Sequence, residues 1–275
     1  METTTKPKTL LRRLLRAVGL DGAFLACLID PLLFVLLAAI AAMAGTWELS
    51  SALRHGGWQV NRWAATYLTL PVIGFSFVDG ARGQWLSLLG VIFALSAVAL
   101  IYHLVERQAT TRELLRNISA GVFVMFYVPL SLSFAVLIVI AENGINILFS
   151  VVLTVAAIDT FGYLIGRFFG KTKFAPGVSP KKTWEGFIAS VVGALLIGIT
   201  SATLLIGVEL WLAVLFSLAI LLAAVLGDLA ESLIKRDLGI KDMGDILPGH
   251  GGVMDRLDSM LPAAFMGYLF TLVFL

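Results

Sequence analysis

Cysteine and charge are both scarce in this chain. Cys27 is the single cysteine among 275 residues, which excludes an internal disulfide framework and a cysteine-held zinc site. Charged residues make up only 14% of the chain and hydrophobic residues 59%, with a mean hydropathy of +0.95. Soluble domains are about a quarter charged, so this composition indicates a polytopic membrane protein. The net charge of +2 gives no indication of nucleic-acid binding.

Eight apolar segments are predicted to cross the membrane as helices. They run over residues 31–50, 63–79, 85–104, 118–141, 145–166, 187–207, 209–227 and 258–275. A ninth candidate, residues 10–29, has three arginines in its first turns and Asp21 in its middle. It either spans the membrane or lies on its surface as an amphipathic helix. We therefore predict an all-α polytopic integral membrane protein with eight to nine transmembrane helices.

The distribution of lysine and arginine predicts the orientation of these helices. The cation-rich connections lie near residues 53–62, 105–117, 167–186 and 228–257, whereas the alternate connections carry only Arg82. Because positive loops stay in the cytoplasm, we expect the four rich connections there. A basic N-terminus on the same side favours nine spans, with the C-terminus outside. No small-residue cleavage site follows the basic start, so we expect no removable signal peptide.

The two halves of the chain differ in polar content. Residues 1–150 are predicted to be a scaffold of lipid-facing helices, and their acids Glu48, Asp79, Glu106 and Glu142 lie near span ends. We expect those acids to be solvated or interfacial. Residues 151–275 are the predicted catalytic region. Segments 159–186 and 228–258 hold nine of the 20 Lys and Arg residues and nine of the 18 acids. The positive-inside rule explains why cations gather in these segments, but it does not explain the equal number of acids.

The acids of the second half have a spacing that suits a metal site. Asp228, Glu231, Ser232 and Lys235 share one face if the helix over 209–227 continues. Asp255 and Asp258 are three residues apart and share a face if the last helix begins there. Mg²⁺ prefers carboxylate oxygens and binds one or two of them together with substrate phosphates. Helix capping is the simpler alternative, but it accounts more easily for one of these acids than for all of them.

A second polar segment precedes this one in the chain. Asp159 interrupts an apolar span, where an ionisable group is costly and is by default a functional candidate, with an ion pair to Arg167 as the alternative. A helix is predicted to begin near Thr183. Lys181 and Lys182 would then lie where phosphate meets the positive end of that helix. The spacing of Gly186, Gly193 and Gly198 is more typical of close helix packing than of ligand contact.

The most specific motif is a 27-residue run in the second half. It reads Ser232-x-Ile-Lys-Arg-x4-Lys241-Asp242-x-Gly-x2-Leu-Pro248-x-His-Gly-Gly-Val-x-Asp255-Arg-Leu-Asp258. Position for position, it resembles the signature of the phosphatidate cytidylyltransferase (CDP-diacylglycerol synthase) family. The segments Asp159-Thr-x-x-Tyr and Ser179-Pro-Lys-Lys-Thr-Trp-Glu-Gly also resemble that family, except that Gly162 stands where alanine is expected. The resemblance covers residues 155–275, and residues 1–150 share only the hydropathy.

This resemblance implies an activity and a set of partners. It implies transfer of a cytidylyl group from CTP to phosphatidic acid, a requirement for Mg²⁺ with a second cation possible, a cytoplasm-facing active site and a homodimer. A bacterial inner membrane is the expected location. The expected catalytic residues are Asp228, Asp255, Lys182 and Lys235, and the expected metal ligands are Asp228, Asp255 and Asp258. The expected substrate-binding residues are Arg167, Lys171, Ser179, Lys181, Thr183, Ser232, Arg236, Lys241, His250, Gly251, Gly252 and Arg256.

Other functions remain open at this point. A CTP-dependent polyprenol kinase, or a cytidylyltransferase for another lipid acceptor, would have a similar architecture. A transporter would account for many spans and for an intramembrane Asp159, although no inverted repeat is visible in the sequence. A related protein with the same motif and a different acceptor is a further alternative.

Overall fold

The computed structural model of the protein describes residues 30–106, 110–246 and 251–275. These residues are mostly helical. The α-helices are α1 (Pro31–His55), α2 (Arg62–Tyr67), α3 (Thr69–Glu106), α4 (Thr111–Met125), α5 (Ser131–Val139), α6 (Gly144–Phe169), α7 (Trp184–Gly193), α8 (Ile199–Ser201), α9 (Leu210–Asp237), α10 (Met254–Leu257) and α11 (Met260–Phe274). The candidate ninth span, residues 10–29, lies outside the described residues.

Within the described parts of the chain, seven helical stretches are long and apolar enough to cross a membrane. They are Pro31–His55, Arg62–Val105, Thr111–Val139, Gly144–Phe169, Trp184–Ile206, Leu210–Asp237 and Met254–Phe274. The second stretch covers two predicted spans. Its 44 residues are interrupted at Asp79 and Gly80, whose backbone angles are not helical, and Gly80 has a φ of 60°. The break falls where the sequence predicts a connection.

Local sequence explains several helix boundaries. Pro31 occupies the first turn of α1, where proline fits, and the Asp30 carboxylate accepts hydrogen bonds from the N–H groups of Leu32 and Leu33. Thr110 and Glu113 form a reciprocal capping box at the start of α4. Pro129 lies in a π-helical turn, Phe126–Leu130, which joins α4 to α5 within one apolar stretch. A proline inside a helix removes a backbone hydrogen bond, which accounts for the distortion at this turn.

The described residues are mostly helical, as predicted, and they also include one short sheet that the sequence did not predict. Strands β1 (Lys173–Ala175) and β2 (Ser179–Thr183) pair as a two-stranded antiparallel sheet, with Ala175 opposite Ser179 and Lys173 opposite Thr183. Pro176 and Gly177 form the turn between the strands, and residues of these types favour turns. The polar segment between α6 and α7 is therefore an ordered hairpin rather than an irregular loop.

The packing of α6 against α7 determines where this hairpin lies. A Cβ on Gly166 would stand 3.2 Å from Thr183 Oγ1 and 3.5 Å from Gly186 Cα, so the two segments are in close contact. A Cβ on Gly193 would stand 2.9 Å from the Phe161 ring, and one on Gly198 would stand 2.5 Å from Ser217 Oγ. The predicted packing role of Gly186, Gly193 and Gly198 is confirmed.

Candidate functional site

Helix α9 carries a polar face at the end of an apolar span. Ser232 Oγ donates a hydrogen bond to Asp228 Oδ1 over 3.5 Å, one helical turn apart. Glu231 is fully buried and forms an ion pair with Lys235 on the next turn. These contacts confirm that Asp228, Glu231, Ser232 and Lys235 line one side of the helix, as their spacing predicts.

The hairpin contributes a cation to this face. Lys182 on β2 lies with its Nζ 2.6 Å from Asp228 Oδ2, and both side chains are partly shielded from solvent. Thr183, the next residue, ends β2 and caps α7, because its Oγ1 accepts a hydrogen bond from Gly186 N over 3.2 Å. The position of Lys182 is thus set by the start of α7, which begins where the sequence predicts.

A cavity of about 670 Å³ lies between α6, the hairpin, α7 and α9. Its polar lining carries four cations and two carboxylates, namely Arg167, Lys173, Lys181, Lys182, Asp159 and Asp228. Its apolar lining includes Ile158, Phe174, Phe187, Ala224 and Val225. A wall with both excess positive charge and apolar surface suits a ligand that joins phosphates to hydrocarbon.

Asp255 belongs to a second group of polar contacts, which adjoins the polar face of α9 at Lys235. Its Oδ1 accepts a hydrogen bond from Lys235 Nζ over 2.9 Å, and its Oδ2 accepts one from Gly252 N, also over 2.9 Å. The N–H of Met243 lies 3.2 Å and 3.1 Å from the two oxygens. Lys235 on α9 and two backbone N–H groups of the signature loop therefore hold this carboxylate; the signature loop here means the described residues 238–246 and 251–253. The Gly252 amide, an expected phosphate donor, is engaged by Asp255 here.

The remaining carboxylates determine how a metal would fit. Asp159 and Asp228 are both close enough to Asp258 to interact electrostatically with it, and a Cβ on Gly227 would contact the Asp258 carbonyl. Among residues 30–106, 110–246 and 251–275, no group of three or more His, Cys, Asp or Glu side chains is arranged to hold a metal. Two acids with substrate phosphates are sufficient for Mg²⁺, so Asp228 and Asp258 fit that ion.

Several predicted substrate-binding residues do not line the cavity. These are Lys171, Ser179, Ser232, Arg236, Lys241, Gly251, Gly252 and Arg256. Arg236 instead donates to the Val178 carbonyl over 3.1 Å and so ties α9 to the hairpin. Arg167 does line the cavity and donates to Tyr163 Oη over 2.5 Å. No ion pair between Arg167 and Asp159 is found in the described part of the chain. His250 lies outside the described residues.

Sequence reasoning did not assign ligand contact to Lys173, Phe174 and Phe187, which line the cavity, and it misjudged one acid of the first half. The hairpin and the start of α7 supply these three residues, and no motif in the sequence pointed to them as ligand-facing residues. Tyr163, which belongs to the quoted Asp159-Thr-x-x-Tyr segment, also lines the cavity. The expectation for Glu48 is wrong, because its side chain is buried within α1 and accepts a hydrogen bond from Met254 N over 2.9 Å. The position of this acid within an apolar span was the feature of the sequence that could have indicated its burial.

The chain matches a protein-family model described as the Cytidylyltransferase family over residues 11–274. The chain belongs to the cytidylyltransferase family. It is 38% identical over 256 residues to the phosphatidate cytidylyltransferase of Mycobacterium bovis, covering 87% of this chain and 80% of the relative. It is 38% identical over 275 residues to the Mycobacterium leprae protein of that name, covering 92% and 85%.

A plant relative matches a shorter part of this cytidylyltransferase-family chain. The chloroplastic phosphatidate cytidylyltransferase 4 of Arabidopsis thaliana is 44% identical over 117 residues, which is 42% of this chain and 30% of the relative. The mycobacterial matches, in contrast, extend into the first half. The family relationship therefore covers the helix that bears Glu48 as well as the signature loop, although the sequence motifs were recognised only from residue 155 onward.

Proposed function

We propose that the protein transfers the cytidylyl group of CTP to phosphatidic acid, producing CDP-diacylglycerol and pyrophosphate. The observation that carries this proposal is the cavity in which Lys182 pairs with Asp228 between cationic and apolar walls. The reaction brings together two polyanions, one of which carries acyl chains. A site for it needs cations, acids that can hold a metal, and an apolar approach for the lipid.

The reaction itself demands little covalent chemistry from the protein. An oxygen of the lipid phosphate attacks the α-phosphorus of CTP, and the bond from that phosphorus to the bridging oxygen of the β-phosphate breaks. The lipid phosphate is already anionic near neutral pH, so no strong general base is required. The main task of the protein is to place two anions in line and to stabilise the negative charge of the leaving pyrophosphate.

The lining residues divide this work. Lys182, Lys181 and Arg167 neutralise phosphate oxygens within the cavity, and Lys235 is held beside Asp255 at the far end of the α9 face. Once the triphosphate binds, Lys182 exchanges its contact with Asp228 for one with a phosphate oxygen. Ile158, Phe187 and Val225 offer apolar contact to the diacylglycerol part of the acceptor.

Mg²⁺ is the proposed cofactor. Asp228 and Asp258 are the carboxylates that would hold it, whereas Asp255 is engaged by Lys235 and by two backbone N–H groups. A bound Mg²⁺ supplies charge neutralisation on the phosphates of CTP and on the leaving pyrophosphate. A second cation would find a further carboxylate in Asp159.

We also propose how the protein lies in the membrane. The 44-residue stretch Arg62–Val105 measures about 66 Å as helix, roughly twice the hydrocarbon thickness, so its two parts cross separately. That arrangement gives eight crossings among the described residues. The hairpin and the signature loop then face the cytoplasm of a bacterial inner membrane. Exposed apolar side chains of the first half, such as Val78 and Phe93, face lipid or a second copy in a homodimer.

The test is an assay on purified protein in detergent with phosphatidic acid, Mg²⁺ and CTP labelled in its cytidine. We expect label in the lipid phase and pyrophosphate in the aqueous phase, with both lost on adding EDTA and restored by excess Mg²⁺. The Asp228→Asn variant, purified in the same way, is the matched control and should produce neither product. Folded wild-type protein that produces neither product would contradict the proposal.

The same assay separates the alternatives. A lipid kinase releases CDP and leaves the cytidine label in water. A cytidylyltransferase for a different lipid releases pyrophosphate only when that lipid replaces phosphatidic acid. A transporter consumes no CTP at all. Membership of the cytidylyltransferase family favours the first proposal over each of these.

A further inference from the structure

Glu48 is an acid in an unexpected place. It lies near the end of α1, far from the signature in sequence, and only 2% of its surface is exposed. Its Oε2 accepts a hydrogen bond from Met254 N over 2.9 Å, whereas its Oε1 has no hydrogen-bond partner within the described ranges. A carboxylate shielded from water is costly, so its burial against one backbone N–H of the signature loop calls for a specific explanation.

Two glycines of the signature loop enclose this carboxylate. A Cβ on Gly244 would stand 2.5 Å from both Glu48 Cδ and Glu48 Oε1. A Cβ on Gly252 would stand 2.5 Å from Glu48 Oε2 and 2.9 Å from Asp255 Oδ2. Neither glycine has a positive φ, so backbone conformation does not require glycine here. Glycine is required because there is no space for a Cβ beside Glu48.

Glu48 and Asp255 hold the same pieces of backbone. Asp255 accepts hydrogen bonds from Met243 N and Gly252 N, while Glu48 contacts Gly244, Gly252 and Met254. The loop is thus held between two carboxylates that belong to opposite ends of the chain. Helix α1 supports this contact further, because a Cβ on Gly45 would stand 3.7 Å from Met254 Sδ.

We propose that Glu48 is a positioning residue, which fixes the signature loop so that Asp255 stays beside Lys235. The carboxylate of Glu48 does not line the cavity and so does not touch the bound substrates. It acts through the backbone at Met254, one residue before Asp255, and through the two glycines. This inference rests on the proposed function only for the kinetic effect, since the restraint on the loop is a property of the protein alone.

The first measurement follows the loop without any substrate. Hydrogen–deuterium exchange of peptides covering residues 243–255 is compared in wild-type protein and in Glu48→Ala. We expect the variant to exchange at least about tenfold faster in this segment and at the wild-type rate in α4 and α6. Glu48→Gln keeps a carbonyl oxygen that accepts from Met254 N, and it should restore most of the protection. The matched control is Ser50→Ala, since Ser50 is buried in the same helix but points to another side.

The second measurement compares the effects on kcat and on KM in the assay with CTP and phosphatidic acid. We expect Glu48→Ala to lower kcat at least about tenfold with KM for CTP changed by less than about threefold, because Glu48 is remote from the cavity. Glu48→Gln should retain most of kcat. A purely structural defect would lower the yield of folded protein and would not be rescued selectively by glutamine.

A third variant covers the case in which Glu48→Ala does not fold. Gly244→Ala leaves Glu48 in place but inserts a methyl group against its carboxylate, so it should also speed exchange in residues 243–255 and lower kcat. Wild-type exchange and wild-type kcat in whichever of these variants folds would overturn the inference. If the variants exchange fast but the wild-type protein does not use CTP, the restraint on the loop is supported and only the proposed function is rejected.

Discussion

Lys182 and Asp228 form an ion pair of 2.6 Å that joins strand β2 to helix α9 across the cavity. The pair places a cation from the hairpin beside an acid that terminates an apolar span. Neither the hairpin nor α9 alone would form the proposed phosphate site, so substitutions at these two residues test the proposed chemistry.

Replacement of Lys182 by methionine removes the ammonium while keeping the length of the side chain. We expect kcat/KM for CTP to fall by about 10²–10³-fold, the usual effect of losing one donor to a developing charge. The measurement is initial-rate kinetics at saturating phosphatidic acid. Arg82→Met is the control, because the Arg82 side chain is 81% exposed at the break in α3. A rate close to that of wild type in Lys182→Met would contradict the assignment.

The acids Asp228 and Asp255 should differ in their effect on stability. Asparagine at either position is expected to abolish turnover. Both acids pair with a lysine, but only Asp255 also holds two backbone N–H groups, so Asp255→Asn should destabilise the protein by about 2–3 kcal/mol, somewhat less than for a fully buried charge pair. Thermal midpoints in detergent measure this difference. Equal midpoints for the two variants would show that Asp255 is not a structural anchor of the loop.

Thr183 caps α7 and directly follows Lys182, a proposed catalytic residue. Thr183→Ala removes the acceptor for Gly186 N and should cost about 1 kcal/mol, as loss of an N-cap usually does. It should also raise KM for CTP, because Lys182 precedes the cap. Thr110→Ala removes the cap of α4 at a similar cost, but that cap is remote from the cavity. If both variants change KM equally, the effect of Thr183 is one of general stability.

Gly162 lies against Ser190 where α6 crosses α7. A Cβ at position 162 would contact Ser190 Oγ, which donates to the Ile158 carbonyl over 2.8 Å. We expect Gly162→Ala to lower stability by about 1–2 kcal/mol through overpacking. Gly162→Ala combined with Ser190→Ala should recover part of that loss. Additive losses in this double-mutant cycle would show that the two side chains do not interact.

The parts of the site that depend on local spacing could be predicted from the sequence. Asp228, Glu231, Ser232 and Lys235 follow helical intervals, so their common face needs no knowledge of the rest of the chain. The helix start at Thr183 follows from its capping chemistry. The position of the break near Gly80 followed from hydropathy, which predicts separate spans over residues 63–79 and 85–104.

Contacts between distant segments could not be predicted in this way. The pairing of Lys182 with Asp228 depends on a hairpin whose turn residues were visible but whose short polar strands have no alternating apolar pattern. The setting of Glu48 depends on α1 packing against a loop from the other half, and spacing alone does not report such packing. An acid near the end of an apolar helix has the same sequence pattern whether it meets water or a backbone N–H.

The bond between Glu48 and Met254 spans 206 positions of the chain. The ribosome must therefore make almost the entire protein, and most of the helices must enter the bilayer, before the loop can contact the carboxylate of Glu48. An incomplete chain that ends after α9 already carries Lys182, Asp228 and Lys235 but has no Asp255. The contact between Glu48 and Met254 can thus form only in the last stage of synthesis, when α1 and α10 are both in place.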